Sequence, residues 1–129
     1  MTMPLEIRLL AYSAILTWLM IVVASMLRTR GDLRFAFGNR EDPRPPTPIA
    51  GRAQRAASNM LENMVLFVAV TIVAAGAREH HDRVVLGARI FFWARLAYFP
   101  IYLAGIPYLR TLVWTVSIVG MALMLSAAL

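Results

Sequence analysis

Residues 51–63 read GRAQRAASNMLEN and lead directly into the apolar residues 64–75, MVLFVAVTIVAA. On a helix that turns by about 100° per residue, four polar residues of this stretch lie on a single stripe: Arg52, Arg55, Asn59 and Glu62. Arg52, at the inner end, is assigned to an extension of the helix outside the membrane. Ionisable groups inside a bilayer cost roughly 2.5–3.5 kcal/mol each on insertion scales. The stripe therefore predicts a buried binding site rather than a solvated face.

The composition of the chain indicates one membrane domain. Of its 129 residues 60% are hydrophobic, and the mean hydropathy of +0.65 is too high for an ordinary soluble domain. All 13 basic residues are arginines, the net charge is +6, and the arginines lie mainly at the ends of apolar runs. A nucleic-acid-binding protein would gather them on a soluble face instead. The chain has no cysteine, which excludes disulfides, thiolate metal sites and a cysteine nucleophile.

Four apolar segments predict an all-α integral membrane protein, a four-transmembrane-helix bundle formed by a single domain over residues 1–129. The spans cover about residues 9–27, 56–77, 84–103 and 108–128. Residues 28–55 form a polar loop that is rich in arginine and proline. Within it, Thr47 and Pro48 have the residue types of a helix N-cap and its first position, so the second helix is expected to begin at residue 48.

The distribution of arginines predicts the orientation of the spans. Residues 28–55 contain seven arginines, whereas the connection after the second span contains two, Arg78 and Arg83. Because cytoplasmic loops are enriched in basic residues, we expect the first loop on the cytoplasmic side. Four spans then place both termini outside.

A second polar stripe lies on the third predicted helix, where Arg95, Tyr98 and Tyr102 follow at i, i+3 and i+7. At 1.5 Å per residue, Arg95 lies about 10 Å deeper in the membrane than Tyr102, and Glu62 lies about 10 Å beyond Arg55. Arg95 and Glu62 are therefore expected at a similar depth. Arg110 begins the fourth helix on the same side. Apart from Arg8 and Arg89, which lie near the outer ends, the embedded charges thus converge on one leaflet.

Two interpretations of these charges are open. In the first, Glu62 and Arg95 form an ion pair that locks two helices together. In the second, the charges bind a ligand, because one carboxylate cannot neutralise several arginines. Arginines with an amide and two phenols favour a small anion that carries carboxylates and an ammonium or amide group. No metal site is predicted, since the adjacent His80 and His81 do not face one point on a helix.

Two motifs carry a resemblance to a known family. In chain order they are Arg55-x3-Asn59-x2-Glu62, ahead of an apolar span, and Ala94-Arg95-x2-Tyr98-x3-Tyr102, which precedes Pro107-x2-Arg110-Thr111. They resemble the MAPEG family, the membrane-associated proteins in eicosanoid and glutathione metabolism, and the chain is most similar to the short bacterial members. The resemblance covers essentially the whole chain. It implies a homotrimer in the bacterial inner membrane, with glutathione held between neighbouring subunits in the cytoplasmic leaflet.

The resemblance also implies roles for single residues. The residues that would bind glutathione are Arg28, Arg30, Arg55, Asn59, Glu62, Tyr98 and Tyr102. Of these, Arg28 or Arg30 would come from the first helix of the adjacent subunit. Arg110 matches the family arginine that stabilises the glutathione thiolate, lowering a thiol pKa of about 8.5. Arg95 is either a structural ion-pair partner or a ligand-binding residue. No metal is required, since glutathione is the cosubstrate that brings the nucleophile.

The function that these observations favour is a glutathione-dependent membrane transferase or peroxidase acting on hydrophobic electrophiles. Its partners would be glutathione, a lipophilic small molecule, membrane lipid and further copies of the chain, with no nucleic acid. One alternative is a non-catalytic lipid-binding or scaffold protein on the same fold. A small transporter or channel subunit is disfavoured, because transporters usually place their charges near the midplane of the membrane.

Overall fold

The structure of the chain is a computed structural model that describes residues 2–39, 41 and 45–129. Within these residues the protein is all-helical, without strands, and its helices are α1 (Leu5–Thr29), α2 (Leu33–Phe37), α3 (Pro48–Ala74), α4 (His81–Ala104) and α5 (Pro107–Ala128). By length and composition, α1, α3, α4 and α5 are each able to cross a membrane. The arrangement is that of a four-helix membrane bundle, the predicted architecture.

The helix ends have local causes. α1 begins at Leu5, directly after Pro4, whose φ of −53° suits a helix start. This is earlier than the start near residue 9 that was predicted for the first span. α3 begins at Pro48, the expected position, where the Thr47 hydroxyl accepts a hydrogen bond from the Ala50 amide at 3.3 Å. α3 ends at Ala74, three residues before the predicted span limit at 77. α4 begins at His81, three residues before the predicted limit at 84.

A short helix, α2, lies inside the polar loop and was not predicted from the sequence. It follows α1 after a turn in which Arg30 and Gly31 have positive φ angles of 52° and 77°. Asp32 caps α2 by accepting a hydrogen bond from the Phe35 amide at 3.1 Å. Among the described helices α2 contacts only α1. Local capping, rather than packing in the bundle, therefore accounts for this element.

Aromatic and small side chains fill the interior of the bundle. Phe67 of α3 and Phe91 of α4 stack with their ring centroids 3.9 Å apart. On α3, Ala53, Ala56 and Ala57 are buried within the single chain. Their small side chains let neighbouring helices approach closely, so this face of α3 is used for contacts inside one bundle.

α4 and α5 are in backbone contact at Gly87 and Gly120. A Cβ atom on Gly87 would clash with the carbonyl oxygen of Gly120. A Cβ atom on Gly120 would lie 2.7 Å from the carbonyl oxygen of Gly87 and 2.9 Å from the backbone nitrogen of Phe91. Because backbone atoms cannot rotate away as a side chain can, both positions require glycine at this distance between the helices.

We expect Gly120→Ala to lower the stability of the bundle by about 1–3 kcal/mol, because the added methyl group overlaps the backbone of α4. The measurement is thermal unfolding of the detergent-solubilised protein. Gly76→Ala is the matched control, since a Cβ atom there would have no other atom within 4 Å. An equal unfolding midpoint for the two variants would contradict the close contact of α4 with α5.

Candidate functional site

A cavity of about 420 Å³ lies between α3, α4 and α5, at the end of the bundle where α3 begins and α4 ends. Six residues of its lining are predicted site residues: Arg55, Asn59 and Glu62 of α3, Tyr98 and Tyr102 of α4, and Arg110 of α5. Residues of both sequence stripes therefore line one cavity. Arg55 and Glu62 are exposed, so the cavity is open at the surface of the single chain.

Arg95 lies behind this lining and is 0% exposed. Its Nη2 donates a hydrogen bond to Asn59 Oδ1 at 2.8 Å, and its Nε donates to Met60 Sδ at 3.1 Å. The guanidinium also lies over the Tyr98 ring, 4.4 Å from the centroid. Nη1 is buried without a hydrogen-bond partner. Arg95 thus holds one lining residue of α3 and one of α4 from behind.

Asn59, rather than Glu62, is the partner of Arg95. Glu62 is exposed and lines the cavity, and it forms no ion pair within the described residues. Glu62 lies about 60° around α3 from Asn59, and this rotation turns its carboxylate away from the buried guanidinium. The interpretation in which Glu62 and Arg95 lock the helices together is not the arrangement found.

Arg95 also determines which end of the Asn59 amide is available to a ligand. A guanidinium can only donate hydrogen bonds, so Oδ1 of Asn59 must face Arg95. The same Oδ1 lies 3.4 Å from Asn63 Nδ2, which donates at 2.8 Å to the Asn59 carbonyl oxygen. The remaining group, Nδ2 of Asn59, is left for the cavity. Asn59 can therefore donate to a hydrogen-bond acceptor in a ligand, a carbonyl or a carboxylate oxygen.

Two tyrosine rings lie between two arginines from Arg95 to the start of α5. The rings of Tyr98 and Tyr102 meet edge to face, with centroids 5.4 Å apart and an interplanar angle of 75°. The Arg110 guanidinium lies over the Tyr102 ring at 4.6 Å. This stacking orders the Arg110 side chain beside the cavity. Among the described residues, Arg55, Arg95 and Arg110 stand against the single carboxylate of Glu62, an excess of two positive charges that favours an anion.

Four residues of the lining were not predicted from the sequence: Gln54, Ser58, Thr111 and Trp114. Gln54 and Ser58 precede Glu62 at intervals of four residues and so extend its face of α3. Trp114 follows Arg110 by four residues, and its indole Nε1 is buried without a hydrogen-bond partner. The signal that could have found these four residues is their helical spacing from the site residues already predicted. They were missed because side chains without charge are less conspicuous in an apolar sequence.

Arg28 and Arg30, at the end of α1, do not line the cavity of their own chain. The Arg28 guanidinium lies over the Phe35 ring at 5.0 Å, and Arg30 Nη2 donates to the Pro45 carbonyl oxygen at 3.2 Å. Their role at the cavity of an adjacent subunit stays a prediction.

Arg52 has a structural role next to the cavity. Its Nε donates a hydrogen bond to the carbonyl oxygen of Leu103, in the last turn of α4, at 2.9 Å. Its side chain packs beside Gly105, whose φ of 77° turns the chain towards α5. A cation at a helix C-terminus is favourable, so Arg52 ties the start of α3 to the α4–α5 connection.

The histidines lie elsewhere. His81 Nε2 is 3.9 Å from Glu6 Oε2, between the starts of α4 and α1. In the part of the chain that the structure describes, no three His, Asp or Glu side chains come together as metal ligands would.

The roles of Asn59 and Glu62 can be separated by stability. We expect Asn59→Ala to destabilise the bundle by about 2 kcal/mol, because it leaves a second nitrogen of the buried Arg95 guanidinium without an acceptor. Glu62→Gln is expected to change the thermal unfolding midpoint less, since Glu62 forms no ion pair within the described residues. Both are measured on detergent-solubilised protein without ligand. A larger loss for Glu62→Gln than for Asn59→Ala would show that Arg95 pairs with Glu62 after all.

Comparison with known proteins identifies the family. A comparison with curated proteins found no match. The model of the MAPEG family matches residues 9–129, which include most of α1, all of α3 to α5 and every residue of the cavity lining. The match thus covers nearly the whole chain, including both motifs that face the cavity. With four apolar helices around this polar cavity, the chain is an integral membrane protein of the MAPEG family, whose members belong to glutathione and eicosanoid metabolism.

Proposed function

We propose that this protein is a glutathione-dependent membrane transferase or peroxidase that acts on hydrophobic electrophiles. The observation that carries the proposal is the cavity itself, where six residues chosen from sequence motifs on three helices line one space. At about 420 Å³, it lies towards the lower end of the range of ligand pockets, roughly 300–1,000 Å³.

The polar groups of the cavity suit the groups of glutathione. Arg55 is an exposed guanidinium at the mouth, suited to a carboxylate by its paired donors. Glu62 is the single carboxylate among the described lining residues and suits the ammonium group of the γ-glutamyl residue. Asn59, with its Nδ2 left for the cavity, suits a peptide carbonyl or a carboxylate. The two carboxylates and the thiolate of the ligand would offset the positive charge of the site.

Arg110 would stabilise the thiolate. Its guanidinium is ordered over the Tyr102 ring, in the first turns of α5, where the helix N-terminus also favours negative charge. A preorganised cation beside the sulfur raises the fraction of thiolate at neutral pH. In conjugation, the thiolate sulfur attacks the electrophilic carbon, a C–S bond forms, and the leaving group departs with the electrons of its bond.

Assembly as a homotrimer would complete the cavity. Arg55 and Glu62 are exposed in the single chain although both belong to α3, which is apolar enough to span a membrane. Contact with lipid would be costly for these groups, and a neighbouring copy that covers them would remove that cost. Arg28 or Arg30 of that copy would then reach the ligand. The protein would lie in the bacterial inner membrane, with the site on the cytoplasmic side and both termini outside.

We expect Arg110→Ala to lower kcat for the conjugation of an aryl halide with glutathione by about 10²-fold or more, because it removes the cation that stabilises the thiolate. The pH at which bound glutathione forms its thiolate, followed by ultraviolet absorbance, should rise. Arg89→Ala is the control, since Arg89 is an exposed arginine of α4 outside the cavity lining.

A purified protein that neither binds glutathione at millimolar concentration nor turns over such substrates would end the proposal. Binding of glutathione without turnover of halide or hydroperoxide substrates would favour the non-catalytic protein instead. Flux of glutathione into proteoliposomes would favour a transporter.

The proposed role of Glu62 has a separate test. We expect Glu62→Gln to weaken glutathione binding about tenfold or more, because it removes a charged partner of the ammonium group. The same substitution should leave unchanged the affinity for a glutathione analogue that lacks the γ-glutamyl amino group. Calorimetric titration of both ligands into both proteins gives the four affinities. An equal loss for the two ligands would exclude an ammonium contact at Glu62.

A further inference from the structure

α2 presents two large apolar side chains on one exposed face. Leu33 is 68% exposed and Phe37 is 87% exposed, and at a spacing of four residues they lie on the same side of the helix. Phe35 is buried and lies under the Arg28 guanidinium of α1. The helix therefore places one aromatic ring against α1, and the described residues of this chain leave its other apolar face uncovered.

The position of α2 along the membrane normal follows from α1. The 25 residues of α1 span about 37 Å at 1.5 Å per residue, which exceeds a hydrocarbon core of about 30 Å. The charged end of α1 at Arg28 therefore reaches the headgroup region. The chain turns back at once, because the Asp32 amide donates to the Thr29 carbonyl oxygen at 2.9 Å. α2 is thus held at the level of the lipid headgroups.

One exposed arginine lies on α2 beside the exposed face, and two more lie at the end of α1. Arg34 is exposed on α2, about 100° around the helix from Leu33, where an arginine can reach a phosphate beside a buried apolar face. Arg28 and Arg30 lie within six residues of Arg34. The one carboxylate in residues 28–38 is Asp32, which caps α2 through the Phe35 amide. Apolar residues with a rim of arginines are typical of helices that lie in the interface of an anionic membrane.

We infer that α2 is an interfacial anchor that binds anionic phospholipid in the leaflet where α1 ends. Leu33 and Phe37 lie among the lipid chains just below the headgroups, and Arg34 binds the phosphate. The excess of arginine over carboxylate favours lipid over a second copy of this chain, which would bring the same basic rim. This inference is independent of the proposed enzymatic function.

The absence of native cysteine allows a single label to test the anchor. Phe37→Cys is labelled with an environment-sensitive fluorophore and the protein is placed in nanodiscs of phosphatidylcholine, with or without phosphatidylglycerol. We expect quenching by lipids spin-labelled near the headgroup, weak quenching by aqueous iodide, and a blue shift that grows with phosphatidylglycerol. Glu79→Cys, labelled in the exposed α3–α4 connection, is the aqueous control.

The role of Arg34 is tested by a separate substitution. Arg34→Gln should raise the phosphatidylglycerol content needed for half of the blue shift about fivefold, while glutathione binding, if present, stays unchanged. Arg89→Gln, at an exposed arginine of α4, should leave that content unchanged.

Three outcomes would overturn the inference. Iodide quenching at position 37 as strong as at position 79 would place α2 in water. Protection from both iodide and lipid quenchers would mean that protein, such as a second copy, covers the face. Lipid quenching that does not respond to phosphatidylglycerol would exclude an anionic lipid as the ligand.

Discussion

A guanidinium buried among apolar helices orders one side of the cavity. Arg95 is 0% exposed, and removing such a charge from water is costly unless its donors find partners. The partners are Asn59 and Met60 of α3 and the Tyr98 ring of α4. Because they come from two helices, the contact sets how α3 and α4 face each other. It also sets the polarity of the lining, since Asn59 can then offer only its amino group to a ligand.

In the part of the chain that the structure describes, the remaining charges of the site have no such internal compensation. Arg55 and Glu62 are exposed at the mouth of the cavity, and Arg110 rests on a tyrosine ring rather than on a carboxylate. An unbalanced positive site within apolar helices favours an anionic ligand, whereas its exposed mouth favours contact with another copy. Both requirements are met at once by a tripeptide anion held between subunits, which is why the proposed function and the proposed trimer belong together.

The same end of the bundle also carries the turn from α1 into α2. α1 ends there, α2 turns back beside it, and Arg28 packs on Phe35 of α2. At this end Arg52 of α3 donates a hydrogen bond to the last turn of α4 and so links α3 to the α4–α5 connection. A lipid contact at α2 would therefore restrain the end of α1, from which the arginines proposed for the neighbouring cavity arise.

The sequence by itself determined the four spans, the start of α3 at Pro48 and the residues of two polar stripes. These follow from local constraints: the length of apolar segments, the residue types of a helix cap and the period of a helix. Only the tertiary structure decided that Arg95 meets Asn59 and not Glu62, that Arg52 caps α4, and that Trp114 lines the cavity. Asn59 and Glu62 lie within one turn, about 4.5 Å along the axis, so depth could not distinguish them. Periodicity assigns residues to a face of a helix, but the rotation of each helix against its neighbours decides what that face meets.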